Sequence, residues 1–137
     1  MGDTAAGWPD NGEIDVLETV GQAPDTVYST VHGPGYIDVE DLGRHRELGR
    51  AVSSAFHTFT LVKRPGEMVW GVDGVPYHRV TPEMLPDGAE WVFGGPFYLL
   101  LNLAVGGVWP GTPPADTAFP KVMTVDYVRV WREDGGN

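Results

Sequence analysis

Cysteine is absent from the chain. This removes disulfides and thiolate metal sites but leaves the compartment open, because many exported proteins also lack the residue. Basic residues are scarce: nine Lys and Arg stand against nineteen Asp and Glu, for a formal net charge of −10. A surface of that sign repels nucleic acid and anionic membranes, so neither is an expected partner. Long apolar runs are missing too. The longest, residues 97–105, is interrupted by Asn102 and falls far short of the roughly 20 residues that cross a bilayer. Met1 leads into Gly2-Asp3-Thr4, neither basic nor apolar, so no signal peptide is expected there. Repeats and low-complexity linkers are also lacking.

What is present reads as one folded domain spanning residues 1–137, with 42 % apolar and 20 % charged residues. Nineteen Gly and twelve Pro, spread without a period, mark frequent turns, which suit many short strands better than a few long helices. Strands are expected at residues 13–18, 26–32, 56–62, 68–72, 75–79, 97–105 and 123–132. The stretch 97–105 reads as a strand buried on both faces or as an inward-facing segment. Residues 36–52 are polar and read as a surface loop or short helix. Asp73-Gly74 between 68–72 and 75–79 is the strongest hairpin signal in the chain. The expected fold is all-β, an antiparallel sandwich or barrel.

Acidic chemistry concentrates in Glu13-Ile14-Asp15-Val16-Leu17-Glu18. Side chains on a regular strand alternate faces, so Glu13 and Asp15 share one face and Glu18, at an odd offset, would point the other way. One inserted residue near Val16-Leu17, a β-bulge, restores the parity and aligns all three acids. The two Glu are then about four steps apart, roughly 13 Å along the backbone. Long side chains leaning inward can narrow this to about 5–5.5 Å between carboxyls, the spacing of a retaining glycosidase. Crowded carboxylates raise at least one pKa, and such a site needs one protonated acid beside an ionised one. Taken alone, however, the run is read first as a solvated acidic edge strand.

The wider context changes that weight. The segment Trp8-Pro9-Asp10-Asn11-Gly12 followed by Glu13 through Glu18 resembles the signature of glycoside hydrolase family 16. Its spacing is that of the laminarinase-like endo-β-1,3-glucanases; in lichenases the second Glu lies one residue nearer. The resemblance continues through His32-Gly33-Pro34-Gly35, Phe56-His57, Val72-Asp73-Gly74, residues 97–108, Trp109-Pro110-Gly111, Phe119-Pro120 and residues 125–130. It implies a concanavalin/lectin-like jelly roll that hydrolyses β-1,3-glucan or mixed β-1,3/1,4-glucan by double displacement. It implies Glu13 as nucleophile, Glu18 as general acid and then base, and Asp15 between them, hydrogen-bonded to the nucleophile. His32 matches a family histidine near the acid/base, with Glu18 or a sugar hydroxyl as its partner; by residue type alone it is equally a turn-flanking histidine.

Sugar rings present apolar faces, so a glucan cleft needs aromatic platforms. Trp8 and Trp109, each in a Gly/Pro-containing turn, are the stacking candidates, with Trp91 behind them. Trp70 and Trp131 lie in strand patterns and read as core or sheet surface. Asn102 is either a sugar- or carboxylate-holding amide or a satisfied structural one. His45, His57 and His78 read as structural or solvent-facing.

Asp126 matches a family position that often contributes to a structural calcium, but one aspartate falls short of the six to eight oxygens Ca²⁺ takes, so no cofactor or metal is expected. The family's domain is longer, with strands before the position of Trp8, so the sandwich is expected to be incomplete. Exposed apolar faces and unpaired edges follow, with self-association as a remedy. Lys63, Val62 and Gly71 stand where relatives carry tryptophan, an acid and an aromatic, which implies relaxed packing in one strand pair. The family is secreted, and β-glucan is the expected partner. The alternatives are a non-catalytic β-glucan-binding protein and an inactive fragment of such an enzyme.

Overall fold

The computed structural model describes residues 1–2 and 6–132. The chain divides into two compact units, Met1–Leu100 and Leu101–Asn137.

The first unit is built from two three-stranded sheets. Strands β1 (Glu13–Val20), β2 (Ala23–His32) and β3 (Arg44–Glu47) form one sheet in that order, and β4 (Phe59–Arg64), β5 (Glu67–Val72) and β6 (Val75–Val80) form the other. Every pairing is antiparallel, which is the all-β antiparallel architecture expected. Asp73 and Gly74 both take positive φ, 51° and 78°, the pattern of a type I′ turn matched to strand twist. The turn is tied down locally: Asp73 accepts from the Thr58 amide at 3.0 Å and pairs with His57 Nδ1 at 2.7 Å.

One side of each sheet faces the core. Val27, Ser29 and Val31 of β2 are buried, as are Met68, Trp70 and Val72 of β5 and His78 and Val80 of β6. Tyr36, Leu42 and Phe93 complete the cluster from the connecting loops. Polar contacts cross between the sheets, among them an Arg46 guanidinium that donates to the Val75 carbonyl at 3.3 Å. The Trp70 indole Nε1 donates to the Asp15 carbonyl at 2.9 Å, and Ser29 Oγ lies 2.7 Å from His78 Nδ1. His78 also stacks on Trp70, with ring centroids 4.6 Å apart. Tyr36 fills the space beside Gly33, where any Cβ would collide with the phenol ring; its hydroxyl donates to the Glu90 carbonyl at 2.9 Å.

Several expected boundaries need correction. The stretch 36–52 is not merely a loop or helix: it holds a 3-10 turn at Glu40–Leu42 and all of β3. Arg-His-Arg-Glu has no apolar alternation, yet the free edge of β2 offers a backbone ladder that side-chain pattern does not report. The strand expected at 56–62 begins at Phe59, because His57 and Thr58 are engaged with Asp73.

The strands expected at 97–105 and 123–132 do not form. Near the start of the first, Gly2 and Phe97 make an isolated antiparallel bridge, with Tyr98 N donating to Met1 O at 3.0 Å. Far from being buried on both faces, Leu99 is 60 % exposed. A strand needs a neighbour for its amides, and no strand among the described residues pairs with either stretch. The second unit, taken by itself, contains a Gly107–Gly111 bridge and an Arg129 guanidinium 4.2 Å from the Tyr127 ring centroid. Val130 and Trp131 there are exposed. Expected relaxed packing around Lys63 and Gly71 is met differently at the two positions. Lys63 Nζ donates to the Gly95 carbonyl at 3.2 Å, while a Cβ at Gly71 would meet Thr60 Oγ1 at 2.8 Å.

Trp70 joins the two sheets by packing and by its indole bond, so the two contributions are separable. Trp70→Phe should cost about 1 kcal/mol for the lost hydrogen bond, and Trp70→Ala about 3–5 kcal/mol. Urea unfolding of both variants measures the difference.

Candidate active site

The acids are placed by the register of β1 on β2. Glu13 lies opposite His32 and Asp15 opposite Thr30, but Glu18 lies opposite Tyr28. Three residues of β1 therefore run against two of β2, a bulge at Val16-Leu17 where strand parity requires it. Since Tyr28, Thr30 and His32 alternate with the buried Val27, Ser29 and Val31, Glu13, Asp15 and Glu18 all share the face of β1 turned away from the core. Gly12, just before the strand, has φ 75°, its amide donating to Pro9 O at 2.9 Å, which closes the turn carrying Trp8.

Trp8, Glu13, Asp15 and His32 meet there. Trp8 Nε1 donates to Glu13 Oε2 at 2.6 Å, and the Trp8 ring centroid is 6.4 Å from that of His32. His32 Nε2 lies 3.2 Å from Asp15 Oδ2. That oxygen is buried and makes no well-aligned hydrogen bond, so the contact with His32 is one of charge and proximity. The structure thus gives Glu13 a Trp8 donor and places His32 against Asp15.

Electrostatics separate the acids. Burial pushes the Glu18 carboxyl up to about 7, helped by the negative charge of Asp15 and, less, of Glu13 and Asp38, and opposed by His32. His32 is held above the ordinary histidine value, chiefly by the Asp15 carboxylate against its ring, against the opposing effect of burial. A carboxyl protonated near neutrality beside other carboxylates is an arrangement capable of donating a proton to a leaving group.

Donor atoms of Glu13, Asp15 and His32 lie within 4.8 Å of one another, close enough for a cation to bridge. Glu13 already accepts from Trp8 and Asp15 already faces His32, and no cation is assigned to the cluster.

Asn102 and Trp109 belong to the second unit, where both are exposed. Trp70 is in the core, and Trp91 packs against it. Asp126 also lies in the second unit. Sequence reading missed Asp38, whose amide and carboxylate both approach His32. It stands in a stretch without periodicity, and no sequence signal distinguishes it from its acidic neighbours.

A bulged acidic strand on one face of a two-sheet antiparallel fold is compatible with a glycosidase-type site. The family described as glycosyl hydrolases family 16 matches residues 3–129. A β-glucanase from Rhodothermus marinus is 43 % identical in a 136-residue alignment that covers 93 % of this chain and 47 % of that protein. Among solved structures, an endo-β-1,3-glucanase from Pyrococcus furiosus superposes with a TM-score of 0.78 at 49 % identity, over 84 % of this chain and 45 % of that one. The laminarinase catalytic domain from Thermotoga maritima gives 0.77 at 45 % identity, over 83 % and 47 %. The chain belongs to glycosyl hydrolases family 16, a family of glycoside hydrolases. It spans about half the length of these relatives.

Glu18 gives a stability test independent of turnover. Its folded-state pKa is raised, so the folded protein binds more protons than the unfolded chain between pH 4.5 and about 7, and stability falls as pH rises through that window. Glu18→Gln removes the ionisation. The variant should match the wild type at pH 4 and exceed it at pH 8 by on the order of 1 kcal/mol, after allowance for solvent screening. Thermal melts at the two pH values read the difference.

Proposed function

We propose that the protein cleaves β-1,3-glucan, or mixed β-1,3/1,4-glucan, within the chain and with retention of anomeric configuration. The observation that carries this reading is the shared face of Glu13, Asp15 and Glu18 across the bulge. In the proposed first step the Glu13 carboxylate attacks the anomeric carbon while Glu18 gives its proton to the departing glycosidic oxygen. Water then attacks the same carbon, Glu18 takes its proton, and the bond to Glu13 breaks. Asp15 and His32 tune the charge around both. Trp8 steadies Glu13 and offers an exposed indole to a sugar ring, and Asn102 and Trp109 are further sugar-binding candidates.

Names of the relatives support the substrate class: β-glucanase, endo-β-1,3-glucanase and laminarinase. The reading extends to residues 1–137 as part of one catalytic domain acting outside the cell. Among the described residues no helix is long and apolar enough to cross a membrane. Self-association is expected through exposed apolar side chains, such as Leu99 in the first unit and Val108 in the second. Sedimentation giving a monomer at working concentration removes that part of the reading.

Release of reducing ends from laminarin is the decisive assay. Glu18→Gln should lower turnover by about 10²–10⁴-fold, and Glu13→Gln by at least as much. Binding to laminarin without turnover in the wild type would favour a recognition protein, and neither binding nor turnover an inactive fragment. Stereochemistry is tested separately: proton NMR of the first products should show the β-anomer, and early α-anomer excludes double displacement.

A further inference from the structure

Asp38 is one of two non-glycine residues at positive φ among those described, at 54°. The other, Asp73, forms a hairpin turn; Asp38 does not join two strands in that way. This backbone conformation is unfavourable for an L-residue, though less so for Asp. In it the Asp38 amide points at His32, with N 3.4 Å from Nδ1, and its carboxylate Oδ1 lies 3.8 Å from the same nitrogen.

A backbone N–H can only donate, so Nδ1 of the neutral ring accepts. The ring proton then resides on Nε2, the nitrogen 3.2 Å from Asp15 Oδ2. When His32 becomes cationic, Nδ1 carries a hydrogen of its own and turns from acceptor to donor. The amide no longer suits it, and the Asp38 carboxylate is the acceptor within reach. The Asp38 side chain is 86 % exposed and the His32 side chain 13 %, so a small rotation of Asp38 is the freer motion. The charged groups facing His32 are Asp15, Glu13 and Glu18 from β1 and Asp38 from the loop, all of them acidic.

We propose that Asp38 is a positioning residue that serves both charge states of His32, its amide fixing the neutral tautomer and its carboxylate receiving the cation. His32 then changes charge beside the acidic strand without losing a partner. The inference rests on the proposed roles of Glu13, Asp15 and Glu18 only for its bearing on catalysis.

Nitrogen-15 NMR of the imidazole groups across a pH series tests it on the full chain, with the His32 signals assigned by their loss in His32→Gln. Asp38→Gly accepts positive φ and keeps the amide but lacks the carboxylate; Asp38→Asn keeps side-chain size and tolerance of this φ. The wild type should show neutral His32 protonated on Nε2. Both variants should keep that tautomer and show a downward shift of the His32 midpoint, because a carboxylate that favours the cation is gone. Neutral His32 protonated on Nδ1, or a midpoint unmoved in whichever variants fold, overturns the role of Asp38. Laminarin hydrolysis with an unmoved midpoint removes this role and leaves the hydrolase reading intact. A moved midpoint without hydrolysis retains the Asp38 role and removes the hydrolase reading.

Discussion

Side chains on a strand alternate between two faces, and that alternation would bury Glu18 if β1 paired without interruption. The extra residue between Asp15 and Glu18, set against Thr30 and Tyr28 of β2, reverses the outcome for Glu18. Leu17 is left partly exposed, and the third acid joins the first two. The bulge is braced from the core side. Trp70, fully buried in β5, donates its indole hydrogen to the Asp15 carbonyl, the last residue in regular register before the bulge. A core tryptophan thus steadies the backbone whose outer side chains do the proposed chemistry.

Two histidines, one from each sheet, are treated in opposite ways. His78, on the core side, stacks on Trp70 and meets Ser29, and burial pushes it down to about 4. It is neutral at physiological pH and serves packing. His32, on the outer side, faces acids on every flank and is held above the ordinary value. Its ordinary pKa near 6.5 makes histidine responsive to surroundings. Here the deciding surroundings are the outer face of one sheet for His32 and the core face of the other for His78.

Glu13-Ile14-Asp15-Val16-Leu17-Glu18 was legible because parity is a property of any strand, and only a bulge reconciles that spacing with a common face. The Asp73-Gly74 turn was legible for a similarly local reason, since two positive φ angles demand those residue types. The strand β3 was not. Its Arg44-His45-Arg46-Glu47 sequence has no apolar period, and its pairing is supplied by the free edge of β2. Residues 97–105 misled in the other direction: an apolar run implies burial, yet burial needs a surface to pack against.

From the order of its residues alone, this protein is all-β, acidic and built around a bulged acidic strand behind a Trp8-bearing turn. Those properties follow from composition, alternation and turn chemistry, which act over a few residues at a time. Which group faces which was decided by folding. The pairing of β1 with β2 brings His32 to Asp15, the return of the loop brings Asp38 to His32, and sheet packing brings Trp70 beneath Asp15. Contacts between residues distant in the chain depend on register and loop path, and neither is written in the local pattern.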